Sequence, residues 1–158
     1  MVGVLFDTNI YGFIIKEPKE MLAKLTKSII DDRTFIIHNF KVIRDELRKA
    51  PNILPLYDSL VTNNIISVSD LIEKIAKEYY DEYKRLGGMR SKNNNFMNDL
   101  KIVACASIKN FNLIYSEDKN SMWNSFSMQV YKNINLKYNL RTPSFYNYYE
   151  LKKKYGVF

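Results

Sequence analysis

The stretch Val2-Gly3-Val4-Leu5-Phe6-Asp7-Thr8-Asn9 passes from small and apolar residues straight into an acid and two polar residues. A short continuous apolar run reads as a strand buried on both faces, as in a parallel sheet. An acid directly behind such a strand stands at the sheet's C-terminal rim, where open α/β sheets form their ligand sites. Thr8 or Asn9 is placed to cap a following helix over about residues 10–15.

The rest of the chain repeats this alternation. Pro18 breaks the first helix, and a second begins near Lys19 with Leu22, Leu25 and Ile29 at helical spacing. Residues 34–37 read as a strand, followed by a helix capped by Asn39 and carrying Phe40, Ile43, Glu46 and Leu47. Beyond Pro51 a helix is expected over about 53–61 and a third strand over 65–68. Asp70 and Glu73 have the spacing of a capping pair, opening a helix striped by Leu71, Ile75, Tyr79, Tyr83 and Leu86. Gly87-Gly88 stops it. The polar segment to Asn98 reads as a mobile loop, and Asp99 as the start of a helix bearing Leu100, Val103, Ala104 and Ile108. A strand at 113–115, a short helix through Met122, Phe126 and Val130, and a last strand at 134–136 follow. Pro143 opens a terminal helix through Leu151, closed by Lys152, Lys153 and Lys154. Strand and helix alternate throughout, which predicts an α/β sandwich: a central, mostly parallel sheet with helices on both faces. With 158 residues and no linker or repeat, residues 1–158 are expected to form one domain.

Composition narrows the chemistry. The hydrophobic share of 46% is too high for a disordered chain. A net charge of +7 favours a polyanionic partner, most simply nucleic acid. The single Cys105 precludes an internal disulfide or a cysteine metal cluster, in keeping with a cytoplasmic protein. The apolar start is too short for a secretory signal, and no run approaches membrane-spanning length.

Four acids stand where apolar segments end or begin: Asp7, Glu46, Asp99 and Asp118. Carboxylates gathered at one rim repel one another and need a cation between them. An all-oxygen set suits Mg²⁺ or Mn²⁺ rather than zinc. In a basic protein such a site points to phosphodiester chemistry. Asp45 beside Glu46 and Glu117 beside Asp118 remain rivals for two positions. Asp7 also reads as a helix cap, Asp99 as a helix-start acid, and His38 as a structural histidine rather than a general base. Arg90 and Lys92 lie in the polar loop next to Asp99, within reach of phosphate.

Taken in order, these residues resemble the PIN-domain nucleases. The matching pieces are the strand ending in Asp7-Thr8-Asn9, Glu46-Leu47 on an early helix, Asp99-x-x-Ile102-x-Ala104-x-Ala106, and Leu113-Ile114-Tyr115-Ser116-Glu117-Asp118. Thr142-Pro143 resembles the start of the family's terminal helix. The ordered set spans nearly the whole chain. The resemblance implies a PIN-like three-layer sandwich and a metal-dependent ribonuclease. Asp7, Glu46, Asp99 and Asp118 would hold Mg²⁺ or Mn²⁺ and serve as catalytic acids, with Thr8 and Ser116 orienting the carboxylates. A further acid often follows the fourth position; here Lys119-Asn120-Ser121 stands there, which puts a second fully held metal in doubt.

Small members of the family are commonly toxins of VapBC-type toxin–antitoxin pairs, which implies an antitoxin protein and a homodimer as partners, with RNA as substrate. Tyr79, Tyr80, Tyr83, Phe145, Tyr146, Tyr148 and Tyr149 offer aromatic surface for that dimer. A PIN-like scaffold without turnover and an RNA-processing nuclease without an antitoxin are the alternatives. A small-molecule phosphohydrolase is disfavoured, since the chain has no Gly-rich phosphate loop and no Asp-x-Asp behind the first strand.

Overall fold

Five strands form one sheet in the order β3-β2-β1-β4-β5, every neighbouring pair parallel. The computed structural model describes all residues, Met1 to Phe158. The strands are β1 (Val2–Phe6), β2 (Phe35–Phe40), β3 (Val61–Ile66), β4 (Leu113–Tyr115) and β5 (Ser144–Tyr146). The helices are α1 (Thr8–Ile15), α2 (Lys19–Asp31), α3 (Lys41–Leu47), α4 (Leu54–Leu60), α5 (Asp70–Arg85), α6 (Asn94–Lys109), α7 (Ser125–Lys137) and α8 (Tyr148–Tyr155).

The chain leaves β1 for β2 and β3 on one side, then crosses back to β4 and β5 on the other. The order therefore reverses between β1 and β4. A crevice opens at such a reversal, outside the C-terminal ends of the strands. Val4, Leu5 and Phe6 are wholly buried, as the continuous apolar run requires of a central strand. The ladder continues past β1, because the Asp7 N–H donates to the Tyr115 carbonyl at 2.9 Å. Asp7 is thus fixed by the backbone at the rim, beside the residue that follows β4.

Several expected elements shift. Asp7, not Thr8 or Asn9, caps α1: its Oδ1 accepts from the Thr8 N–H at 2.8 Å. Asn39 lies inside β2 and caps nothing. Its Oδ1 accepts from the buried Tyr57 hydroxyl at 2.8 Å, and that hydroxyl accepts from the Phe40 N–H at 3.1 Å. Ser69, not Asp70, caps α5, its hydroxyl accepting from the Ile72 N–H. The buried stripe of α5 runs through Ile72, Ile75, Ala76, Tyr79 and Tyr83, leaving Leu71 exposed. The third strand is 61–66 rather than 65–68. The polar segment after Gly88 turns helical at Asn94, capped by Asn93, so Asp99 sits in the second turn of α6 rather than at its start. Residues 134–136 belong to α7, where Val130, Tyr131, Ile134 and Asn135 form one buried face. After Pro143 comes β5, and the terminal helix opens only at Asn147, which forms a capping box with Glu150.

The aromatic residues expected to serve a dimer mostly pack within the chain. Tyr79, Tyr83, Phe145 and Tyr148 are buried, and Tyr80 is half-buried. The Tyr79 hydroxyl sits between Ser107 Oγ at 3.1 Å and Asn135 Oδ1 at 2.6 Å. Only Tyr146 and Tyr149 stand exposed, so the tyrosine surplus gives little support to an aromatic dimer face. No helix is long and apolar enough to cross a membrane.

Candidate metal centre at the sheet rim

At the reversal between β1 and β4 lies a cavity of about 360 Å³ with no apolar residue in its wall. Asp7, Thr8, Asn9, Glu46, Arg90, Asn95, Asp99 and Asp118 line it. The four acids read from the sequence thus share one cleft, although 111 positions separate the first from the last. Each arrives on a different element: Asp7 behind β1, Asp118 behind β4, Glu46 on α3 and Asp99 on α6. The acids line the walls rather than meeting at one point. No three of them stand close enough to make a finished cation cage.

Ser116 ties the rim together. Buried completely, it donates its hydroxyl to Asp7 Oδ2 at 2.8 Å and accepts from the Asp118 N–H at 3.0 Å. Its own carbonyl accepts from Trp123 Nε1 at 3.2 Å. One hydroxyl therefore sets the orientation of the first acid and the backbone position of the last. Asn9 adds a second bridge that the sequence reading did not assign. Its Nδ2 donates to Asp7 Oδ2 at 3.3 Å, while its Oδ1 accepts from the Glu117 N–H at 3.2 Å. Asn95 was also missed; it stands one helical turn before Asp99, and that i, i+4 spacing was its only signal.

The two pairs of rival acids face different ways. Asp45 points away, pairing with Lys41 at 2.6 Å and with Arg48 at 3.7 Å, while Glu46 lines the cleft. Glu117 is committed elsewhere, since its Oε1 accepts from the Tyr148 N–H at the start of α8 at 2.8 Å. Asp118 is left to face the cavity. Of the two loop cations, Arg90 lies in the wall, with its guanidinium over the Phe96 ring at 4.6 Å. Lys92 does not line it; its ammonium sits over the Tyr80 ring at 5.6 Å. His38 stacks on Phe111 with ring centroids 4.0 Å apart and is no part of the cleft.

Burial and crowding make the carboxylates reluctant to ionise. Burial first, then the charges of Asp7, Asp118 and Glu46, raise the Asp99 pKa to about 8, with Arg90 pulling the other way. Asp7 is raised to about 6, again chiefly by burial, against the stabilising bonds from Ser116 and the Thr8 backbone. Burial also raises Glu46, opposed by the Thr8 and Asn98 side chains. Oxygen donors alone, with no His or Cys in the wall, match a hard divalent cation. Such a cation would relieve the charge stress that the raised values record.

Arg90 is held in place from behind. The Tyr83 hydroxyl accepts from the Arg90 N–H at 3.0 Å, and the Tyr83 ring packs between Phe96 and Phe126. A Cβ at Gly88 would overlap that ring. Gly88→Ala should therefore cost about 1–3 kcal/mol through overpacking and loosen the arginine from the cleft. Thermal melting reads the first effect. A variant as stable as the parent would mean that Tyr83 moves aside freely.

The sequence matches no family model and no curated protein. Solved structures share its fold. A VapBC2 structure from Rickettsia felis, bound to a DNA fragment from their promoter, matches over 92% of this chain and 98% of that one, with a TM-score of 0.56 and 17% identity. VapBC-1 from nontypeable Haemophilus influenzae matches over 93% and 98%, with a TM-score of 0.58 and 12% identity. FitAcB from Neisseria gonorrhoeae matches over 92% and 98%, with a TM-score of 0.56 and 14% identity. At these identities the likeness is one of fold. The PIN-like α/β sandwich expected from the ordered acids is the architecture of the chain.

Proposed function

We propose that the protein is a Mg²⁺- or Mn²⁺-dependent endoribonuclease that hydrolyses RNA phosphodiester bonds and acts as the toxin of a toxin–antitoxin pair. The observation that carries the nuclease reading is the all-polar cavity lined by Asp7, Glu46, Asp99 and Asp118 at the rim of a parallel sheet. A divalent cation bound by these acids would supply an activated water and neutralise charge on the phosphodiester. The chain's own residues do the positioning. Ser116 and Asn9 fix Asp7, and the Thr8 and Asn98 side chains favour the ionised form of Glu46. Arg90 brings a positive charge to the wall, where a phosphate oxygen would meet it. Burial and the neighbouring acids raise the Asp99 pKa to about 8, and a bound cation would favour its ionised form.

The toxin reading has separate support. The protein shares its fold with VapBC and FitAcB structures over almost its full length. An antitoxin would occupy the rim, and a homodimer is the assembly that the resemblance implies.

The test is cleavage of labelled RNA with added Mg²⁺ or Mn²⁺, with and without excess EDTA. Cleavage that survives the chelator would sink the metal assignment. Growth arrest on expression, relieved by co-expressing a short reading frame found beside this one, would support the toxin subtype. Growth without arrest, alongside metal-dependent cleavage, would favour an RNA-processing nuclease.

A further inference from the structure

A second cavity, of about 460 Å³, adjoins the acid cleft and shares only Glu46 with it. One wall is the face of α3 that continues to Lys49: Lys41, Asp45 and Lys49 follow at four-residue spacing. The opposite wall is α6, with Asn98 and Lys101, and the far end is the β3–α5 connection at Ser67 and Val68. Three lysines thus face one groove. Lys41 pairs with Asp45 and Lys101 with Glu73 at 3.4 Å, whereas Lys49 has no ion pair.

We propose that this lysine-lined groove seats the phosphate backbone of a single nucleic-acid strand, on one side of the bond addressed by the acid cleft. The inference rests on the nuclease reading for the bond, but not for the binding. Topology gives the path. Asp118 follows β4, Asp7 follows β1, Glu46 follows β2, and Ser67 follows β3. These strands are neighbours in that order, so the cleft and the groove lie side by side along their C-terminal ends, with Glu46 common to both. The composition gives the occupant. Ammonium, amide and hydroxyl groups are the donors that phosphates and sugars take. A protein segment needs buried apolar anchors, and the groove offers only Val42 and Val68.

The test is binding of a labelled single-stranded RNA across a potassium chloride series, measured in the Asp7→Asn background so that cleavage does not intrude. Adding Lys49→Ala and Lys101→Ala should lower the slope of log Kd against log salt by about 1.4, at about 0.7 for each lost contact on a single strand. A control carries Lys109→Ala and Lys132→Ala, which remove the same charge from the far end of α6 and from α7. It should keep the slope of the background. Thermal melts of both sets confirm folding. Equal slopes in the two double variants would overturn the groove. So would undiminished RNA binding accompanied by lost binding of polyglutamate, which would assign the groove to an acidic protein segment. If the slope falls as expected but the unsubstituted protein fails to cleave RNA with added metal, the groove stands and the nuclease reading falls.

Discussion

Asp7→Asn will abolish RNA cleavage, by at least about a hundredfold, and leave the fold standing. Loss of a partner that merely orients a metal-bound ligand already costs 10–100-fold, and Asp7 is expected to be a ligand itself. The asparagine keeps an oxygen to accept from the Thr8 N–H, so α1 keeps its cap, while its NH2 faces the Ser116 hydroxyl, which must turn from donor to acceptor. What it loses is a charge at the one acid fixed by a strand ladder. The check is paired: single-turnover cleavage at saturating Mn²⁺, and circular dichroism of the same preparation. A variant that retains more than a tenth of the activity would remove Asp7 from the centre. Asp45→Asn in parallel should spare the cleavage step at saturating RNA, because Asp45 faces Lys41 and Arg48 outside the acid cleft.

Asp99→Asn will make the metal-free protein more stable while also removing cleavage. The Asp99 pKa is raised from 3.8 to about 8 in the folded chain. A carboxyl with a raised folded value supports the fold while it is protonated. That contribution is complete below about pH 4 and is lost as the pH rises through 8. Asp7 adds a smaller loss of the same sign as the pH rises through about 6. Asparagine, neutral at every pH, avoids the Asp99 penalty. In chelator at pH 8.5 the variant should melt at least about 3 °C above the parent, since 1 kcal/mol moves a chain of this size by about 2–4 °C. At pH 4 the two should melt together. Adding Mg²⁺ should raise the parent's melting temperature and barely move the variant's, by linkage of binding to folding. A difference in melting that does not change with pH would show that Asp99 ionises without strain. Gain of stability with loss of function is the trade expected where a site stores repulsion for later use.

The central part of this architecture was legible because burial leaves an unambiguous pattern there. Five apolar or small residues running into Asp7 have no amphipathic reading, so β1 and its rim acid followed directly. Leu113–Tyr115 was legible for the same reason. The edge strands were not. Half of β3 is Thr62, Asn63 and Asn64, because an edge strand buries little. At three residues behind a proline, β5 is too short to show alternation. Ile134 and Leu136 imitated a strand by alternating, but the four-residue spacing from Val130 to Ile134 continues α7. The helix carrying Asp99 was set too late because Asn93, Asn94 and Asn95 resemble a loop. Asn93 is a cap, and caps are made from loop-favouring residues. For the candidate site, the sequence named the acids and their hydroxyl partner. It could not name Asn9 and Asn95, whose roles depend on which neighbour crosses the rim.

The seam between β1 and β4 has a consequence in time. Half of the acid wall is synthesised within the first 46 residues, and the other half waits for residues 99 and 118. Asp7 has neither its Ser116 partner nor the Tyr115 carbonyl until β4 has emerged and docked. A ribosome that stalls anywhere before Ser116 releases a chain with an incomplete cleft. The order of synthesis therefore leaves the four-acid cleft unassembled until nearly three quarters of these residues have been made.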